Sequence, residues 1–316
     1  MGVNMRVFIK LGLITFLTVS IWSCTSQNDI IDYTEDLSVV DPEPGSTPGY
    51  NEEKNLYFGD LHVHTKHSFD AYIFGTTATP DDAYEFAKGS AIFHPLGYEM
   101  QIREPLDFYA VTDHGMLLGM VEHWADPNNG KAGSEPFHNL NSPENITQES
   151  VAARSVLFQD YVRNTTNFSN IWTRFMALIT GDTARGTTLF DVNVHRTAWA
   201  DIIKSAQRHN DPGNFTTFVA YEYTTSTTRS SNTEGASQLK CLLRGTGCNF
   251  QGSPPLESAN LHRNVIYNGN KFTVEPFSRL KSLNPEDLWS WMDGLRERGV
   301  DTIAIPHNSN GSNGQM

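Results

Sequence analysis

The chain has 316 residues, 38% of them hydrophobic and 11% aromatic, which is enough for a substantial core in one large domain or two ordinary ones. Its 23 basic against 36 acidic residues give a formal net charge of −13. That balance argues against a nucleic-acid surface, which needs a basic patch for the phosphates, but it leaves an anionic small substrate open because bound cations reverse the local field.

The first residues read as a targeting segment. Arg6 and Lys10 precede the apolar run Leu11 to Ile21, which has signal-peptide length and is short for a bilayer span. The run ends in Ile21-Trp22-Ser23-Cys24, which resembles the bacterial lipobox. Residues 1–23 are therefore expected to be a lipoprotein signal peptide, with Cys24 lipidated and holding the chain to a membrane in the periplasm or at the outer-membrane surface. An ordinary signal peptide cleaved nearby is the competing reading. Residues 24–54 are polar, acidic and punctuated by Pro42, Pro44, Gly45, Pro48 and Gly49, the composition of a disordered tether. Residues 55–316 then form one domain, with no internal repeat.

The domain opens on Tyr57-Phe58-Gly59-Asp60-Leu61-His62-Val63-His64-Thr65, whose alternation predicts a short strand. Side chains two apart on a strand share a face, so Asp60, His62 and His64 are expected side by side, a poor core and a good metal site. Thr79-Pro80-Asp81-Asp82 starts a helix with a cap, a proline at the first position and acids in the first turn, and Gly89 ends it. Leu106 to Thr112 reads as a buried strand running into Asp113-His114-Gly115. Residues 126–147 read as a long loop, and Ser150 to Arg163, Ser169 to Ile179 and Trp199 to His209 as helices. The strand Phe215 to Tyr223 carries Glu222 near its end, and Asn264 to Tyr267 forms a short strand directly after His262. A helix begins at Asn284-Pro285-Glu286-Asp287 and stops at Gly299, and the strand Thr302 to Ile305 runs into Pro306-His307. This order predicts an α/β fold with parallel strands and helical crossovers, either a barrel or an open doubly wound sheet.

Between these elements, Cys241 and Cys248 lie eight residues apart inclusively in a Gly-containing stretch. In an oxidising compartment such a loop can close as a disulfide; a thiolate metal site is the alternative, without the CxxC spacing that would favour it.

His62, His64, Asp113, His114, Glu222 and His307 each fall at or just past the C-terminal end of a predicted strand. In a barrel those ends converge on one face. The remaining histidines His94, His123, His138, His195 and His209 fall in loops or on helices and carry no such pattern.

The motifs Asp60-x-His62-x-His64-Thr65, Val111-Thr112-Asp113-His114-Gly115 and Ile305-Pro306-His307 resemble, in order, those of the PHP (polymerase and histidinol phosphatase) superfamily. Tyr57 to His62, Ala220-Tyr221-Glu222-Tyr223, Leu261 to Val265 and Ala304 to Asn310 are similar to its exported domain-of-unknown-function 3604 branch. The resemblance implies a distorted seven-stranded (β/α) barrel and two or three divalent ions, usually zinc, manganese or iron. It also implies hydrolysis of an ester, most often a phosphoester. It assigns His62, His64, His114, His262 and His307 as metal ligands, Glu222 as the bridging carboxylate, and Asp113 as a ligand or supporting carboxylate. Asp70 stands where relatives carry a third-metal ligand, often histidine. His67 is open as ligand, acid or surface residue, and Arg263 as a substrate-oxygen contact or a surface ion pair.

The superfamily's final Asp-x-His motif does not appear, and about five strands are countable, so the expectation is a barrel incomplete at its C-terminus. A sulfate or other ester is the alternative substrate on the same centre. A surface lipoprotein that binds a small ligand or metal without turnover is the non-enzymatic alternative.

Overall fold

The computed structural model describes residues 29–33, 55–131, 133–157, 190–228 and 258–312. In chain order the described strands are β1 (Ile30–Asp32), β2 (Gly59–Val63), β3 (Ile92–Phe93), β4 (Glu99–Met100), β5 (Phe108–Val111) and β6 (Thr216–Thr217). They continue with β7 (Ala220–Tyr223), β8 (Ser226–Thr228), β9 (Ser258–Asn260), β10 (Arg263–Asn268), β11 (Lys271–Thr273) and β12 (Asp301–Pro306). The larger helices are Pro80–Ala87, Val192–His209 and Pro285–Glu297. The class is mixed α/β, and among the described residues the strands do not close into a barrel.

Two three-stranded sheets position the site. In one, β5 lies between β2 and β6 and is parallel to both. In the other, β10 lies between β7 and β12 and is antiparallel to both. The sheets join where a parallel bridge pairs His114, just past β5, with Glu222 on β7. The expectation of parallel strands throughout is thus corrected at β10. The chain leaves β7 through β8 and returns through β9, which pair antiparallel as Ser226↔Asn260 to Thr228↔Ser258. Antiparallel neighbours need no helical crossover, so β10 comes back beside β7 in reverse.

Sequence chemistry accounts for the helix boundaries. Thr79 accepts from Asp82 N while the Asp82 carboxylate accepts from Thr79 N, a reciprocal cap with Pro80 at the first helical position. Asn284 caps Pro285–Glu297 by accepting from Glu286 N, with Pro285 at the first helical position, and Gly299 follows the helix at φ +76. Val192–His209 starts seven residues before the expected Trp199, because Asp191 accepts from Asn193 N and Val194 N and caps an extra two turns. Of the expected helix from Ser150, the structure describes Gln148–Ala153 and Ser155–Leu157; Ser169 to Ile179 lies outside the described residues.

The main core lies between the sheets and these helices. Trp199, Ile202 and Ile203 from the long helix meet Tyr84, Val111, Tyr221, Val265 and Leu288, all fully buried. Gly59 is obligatory for the β2–β5 pairing, since a Cβ there would collide with the ring and carbonyl of Phe108. A smaller cluster of Ala110, Ala220 and Ile266, with Leu61 and Phe218 against it, lies on the other face of the strands.

Part of the expected tether is structured. Ile30–Asp32 pairs antiparallel with β11, Asp29 accepts from Arg298 Nη1 at 2.7 Å, and Ile30 and Tyr33 pack against the main core. Ile30, Ile31 and Tyr33 supply the apolar and β-forming side chains that the acidic surroundings obscured. Residues 1–28 lie outside the described residues, so the signal segment and Cys24 do as well, as do Cys241 and Cys248. No described helix is long and apolar enough to cross a membrane.

Candidate metal centre

Glu222 stands at the middle of the site. It lies on β7 with 1% side-chain exposure, and five imidazoles surround it. His62 Nε2, His64 Nε2 and His307 Nε2 lie 3.3, 3.2 and 3.4 Å from Oε2. His114 Nδ1 and His262 Nδ1 lie 3.1 and 2.7 Å from Oε1. The five histidines come from β2 and the residue just past it, the bridge residue three positions past β5, the residue before β10 and the residue after β12. Sheet order converts these distant positions into one cluster: the C-terminal ends of the forward strands and the N-terminal start of the reversed β10 lie on one edge.

Two overlapping groups have the geometry to hold an ion, His62–Glu222–His307 and His64–His114–Glu222. Their shared member offers one carboxylate to both. Imidazole nitrogen with carboxylate oxygen is a donor set that zinc, manganese and iron accept. The side chains fit such ions in a further respect: Nδ1 of His307 is buried without a hydrogen-bond partner, and Nε2 of His307 and of His64 are buried with only the 3.4 and 3.2 Å contacts to Glu222 Oε2.

The electrostatics follow from this crowding. Burial alone would raise the Glu222 carboxyl, but hydrogen bonds from His114, His262, His307 and His62 outweigh it and hold the group far below the usual carboxylate range. For His64, burial works against the charged ring, yet Asp70 and Glu222 push its pKa from 6.5 up to about 10. His114 is raised for the same reasons, again against its burial. At His262 burial prevails over the Glu222 contact and the pKa is lowered, which favours the neutral ring that metals bind.

Asp70 is brought to the site, but behind it. Its carboxylate lies 3.4 Å from His64 Nδ1 and 3.1 Å from His114 Nε2, while the opposite nitrogens of both rings face Glu222. Ser68 Oγ donates to Asp70 at 2.7 Å, and Asp70 thereby fixes two ligand rings from outside, the usual place of a carboxylate that orients metal-binding histidines.

Asp113, His67 and Arg263 are not brought into the ligand cluster. Asp113 is fully buried and accepts from Thr65 N and, at 2.6 Å, from Thr65 Oγ1. It ties the turn after His64 to the end of β5, and burial pushes its carboxyl up. His67 lies between Asp201 at 2.9 Å and Glu122 at 3.2 Å, joining the first turn to two helices. Hydrogen bonds to those two carboxylates overcome the effect of burial and raise its pKa to about 9. Arg263 turns to the other side of β10, donates to Leu261 O, and carries its guanidinium 5.9 Å from the Trp289 ring centroid.

Because Thr65 is fully buried and its hydroxyl serves Asp113, Thr65→Val should cost about 1–3 kcal/mol of unfolding free energy in a urea titration. An unchanged midpoint would show that the Asp113 contact is dispensable.

Thr224 and Ser68 escaped the sequence reading. Thr224 Oγ1 donates to Glu222 Oε1 at 3.0 Å and also pairs with His114 Nδ1. Its position two residues beyond Glu222, just past the end of β7, was the available signal. Ser68 supports His64, Asp70 and His114 N at once, from a turn whose geometry no local pattern specifies.

Fold and side chains together define a mixed α/β protein with a histidine cluster around a buried carboxylate, in groups that could hold a metal ion. Over residues 51–234 and 246–316 the chain matches the family model described as "Protein of unknown function (DUF3604)", and it belongs to that family. No curated protein and no solved structure matches the chain.

Proposed function

We propose that the chain is a metal-dependent hydrolase of ester bonds, with a phosphoester as substrate and two divalent ions, zinc, manganese or iron, sharing Glu222. One observation carries this reading: five imidazoles from four stretches of strand end converge on a single buried carboxylate. The ordered motifs that resemble the PHP superfamily support both the reaction class and a PHP-type (β/α)7 barrel as the parent architecture. A lipid at Cys24 would hold the enzyme at the periplasmic or outer-membrane surface.

His62 and His307 would hold one ion with Glu222, and His64 and His114 the other, with His262 beside Glu222 Oε1. When bound, the ions would polarise the ester and acidify water near neutral pH. Glu222 is ionised at every working pH, so its two oxygens supply the negative charge that two adjacent cations require. Asp70 holds the His64 and His114 rings by their outer nitrogens, which leaves the inner nitrogens directed at the centre. Thr224, just past the end of β7, donates to Glu222 Oε1 and fixes it.

Elemental mass spectrometry of the purified chain, beside a His62→Ala/His64→Ala variant, tests the reading. About two equivalents of metal are expected in the parent chain and a loss of most of that content in the variant. A phosphoester and sulfoester panel on the loaded chain then identifies the bond. A well-folded parent chain without metal would refute the hydrolase reading.

A further inference from the structure

Asn264 is a buried amide opposite Glu222 in the sheet, and its two halves meet different fates. It is 3% exposed and sits on β10 directly opposite Glu222 on one side and Ile305 on the other. Paired residues of neighbouring strands share a face, so the Asn264 side chain belongs to the Glu222 side of the sheet. Its Nδ2 donates to Leu61 O at 2.6 Å, which ties β10 to β2 one residue before His62. Because Leu61 O only accepts, this contact fixes which end of the amide is nitrogen. The other end, Oδ1, is buried and has no hydrogen-bond partner among the described residues.

An unpaired buried acceptor is costly, and native proteins keep few of them. Its register partners and its bonded neighbour supply no donor: the Glu222 carboxylate and Leu61 O are acceptors, and Ile305 is apolar. Among the described residues no donor reaches Oδ1, which leaves its acceptor capacity open to a water in the site. Ile305 remains 37% exposed, so this face is reachable by solvent.

We propose that Asn264 Oδ1 accepts a hydrogen bond from the water that attacks the substrate and is the positioning residue for that water. The inference rests on the hydrolase reading above and assigns a role within the same site. Asn264 has two separable functions: Nδ2 secures β2, and Oδ1 orients the nucleophile. Only the second bears on the rate of the chemical step once substrate is bound.

Two substitutions separate these functions. Asn264→Asp keeps an acceptor oxygen and loses the donor to Leu61 O; Asn264→Leu keeps the branched heavy-atom shape, though it is bulkier, and loses both. The full chain and both variants are loaded with Zn2+ or Mn2+, their metal content and melting temperature are measured, and turnover of bis(p-nitrophenyl) phosphate and p-nitrophenyl phosphate is recorded. Both variants are expected to melt lower than the parent chain and to keep its metal content. The expected result is a fall in kcat of about 10- to 100-fold for Asn264→Leu with KM within about threefold, and substantial retention of kcat in Asn264→Asp. Unchanged kcat in the Leu variant overturns the proposal, as does equal loss in both variants in step with their melting temperatures, which would leave only the β2 tie. A parent chain that binds metal and turns over substrate while Asn264→Leu is unaffected refutes the role of Asn264 alone. A parent chain without metal refutes the hydrolase reading and this role together.

Discussion

Glu222→Gln is expected to release both metal ions and to reduce phosphoester turnover by about a thousandfold or more. Glutamine matches glutamate in size and keeps one carbonyl oxygen, so packing is conserved while the negative charge disappears. That charge is what the cluster is built around. Glu222 touches every one of the five imidazoles, and both candidate ion groups contain it. Two cations a few ångströms apart repel each other strongly unless an anion lies between them. Replacing a single outer ligand such as His307 should by contrast weaken one ion and spare part of the other. Elemental analysis of the Gln variant beside the parent chain decides the matter. Full metal retention with normal turnover would show that Glu222 is a structural carboxylate and that ions, if bound, are held elsewhere.

Stripping the metal should destabilise the chain, and the difference between loaded and stripped protein should widen as pH rises. With no metal, the carboxylates Glu222 and Asp70 are balanced by protons on His64 and His114. The His64 pKa in the folded chain, about 10, lies above its ordinary 6.5. A raised pKa contributes stability that is fully present below about 6.5 and declines as pH climbs towards 10. His67, raised to about 9 by Asp201 and Glu122, declines in the same direction and runs out sooner. Metal binding runs the other way, because imidazole must lose its proton to coordinate, so affinity increases with pH and loading releases protons. Free metal at a hundred times Kd adds about 2.7 kcal/mol. For a domain of this size that corresponds to about 5–10 °C in melting temperature. Differential scanning fluorimetry at pH 6, 7.5 and 9, with excess Zn2+ and with chelator, reads both curves. A stripped chain that melts higher at pH 9 than at pH 6 would contradict the charge balance described for the cluster.

The candidate site was unusually legible because ligands at strand ends leave a local trace. In His62-x-His64, strand periodicity alone puts the two rings on one side. Glu222 and His307 stood out because each closed an apolar run with a group that no core would bury unpaired. The same periodicity, taken further, sorts the residues that the structure separates. His262 and Asn264 lie on one side of β10 and Arg263 between them faces the other, so Arg263 could have been set aside from parity. Asp113 and His114 are neighbours in an extended segment and diverge for the same reason: one reaches Thr65, the other Glu222.

His67 and Asp70 have no such parity, because they belong to a turn and a five-residue helix. Only the packing of that helix shows that Asp70 meets the outer nitrogens of two histidines and that His67 faces Asp201 and Glu122. Nor could Asn264 be singled out in a run of ordinary strand residues. Its significance lies in a register against Glu222 and a bond to Leu61, a residue about two hundred positions earlier.

The sequence by itself determined the α/β class, the capped starts of the Pro80 and Pro285 helices and, as groups at strand ends, five of the six residues that form the cluster; His262 came only from the motif resemblance. These follow from interactions within a few positions: strand alternation, side chains that cap backbone N–H groups, and polar groups at the ends of apolar runs. Tertiary structure alone decided that β10 runs against its neighbours, that Ile30–Asp32 joins the domain through β11, and that Glu222 stands between the two groups of imidazoles. Each of these depends on which strand lies beside which. That choice is made by burying a shared core and pairing backbone groups across the sheet, and no local stretch of the chain encodes it.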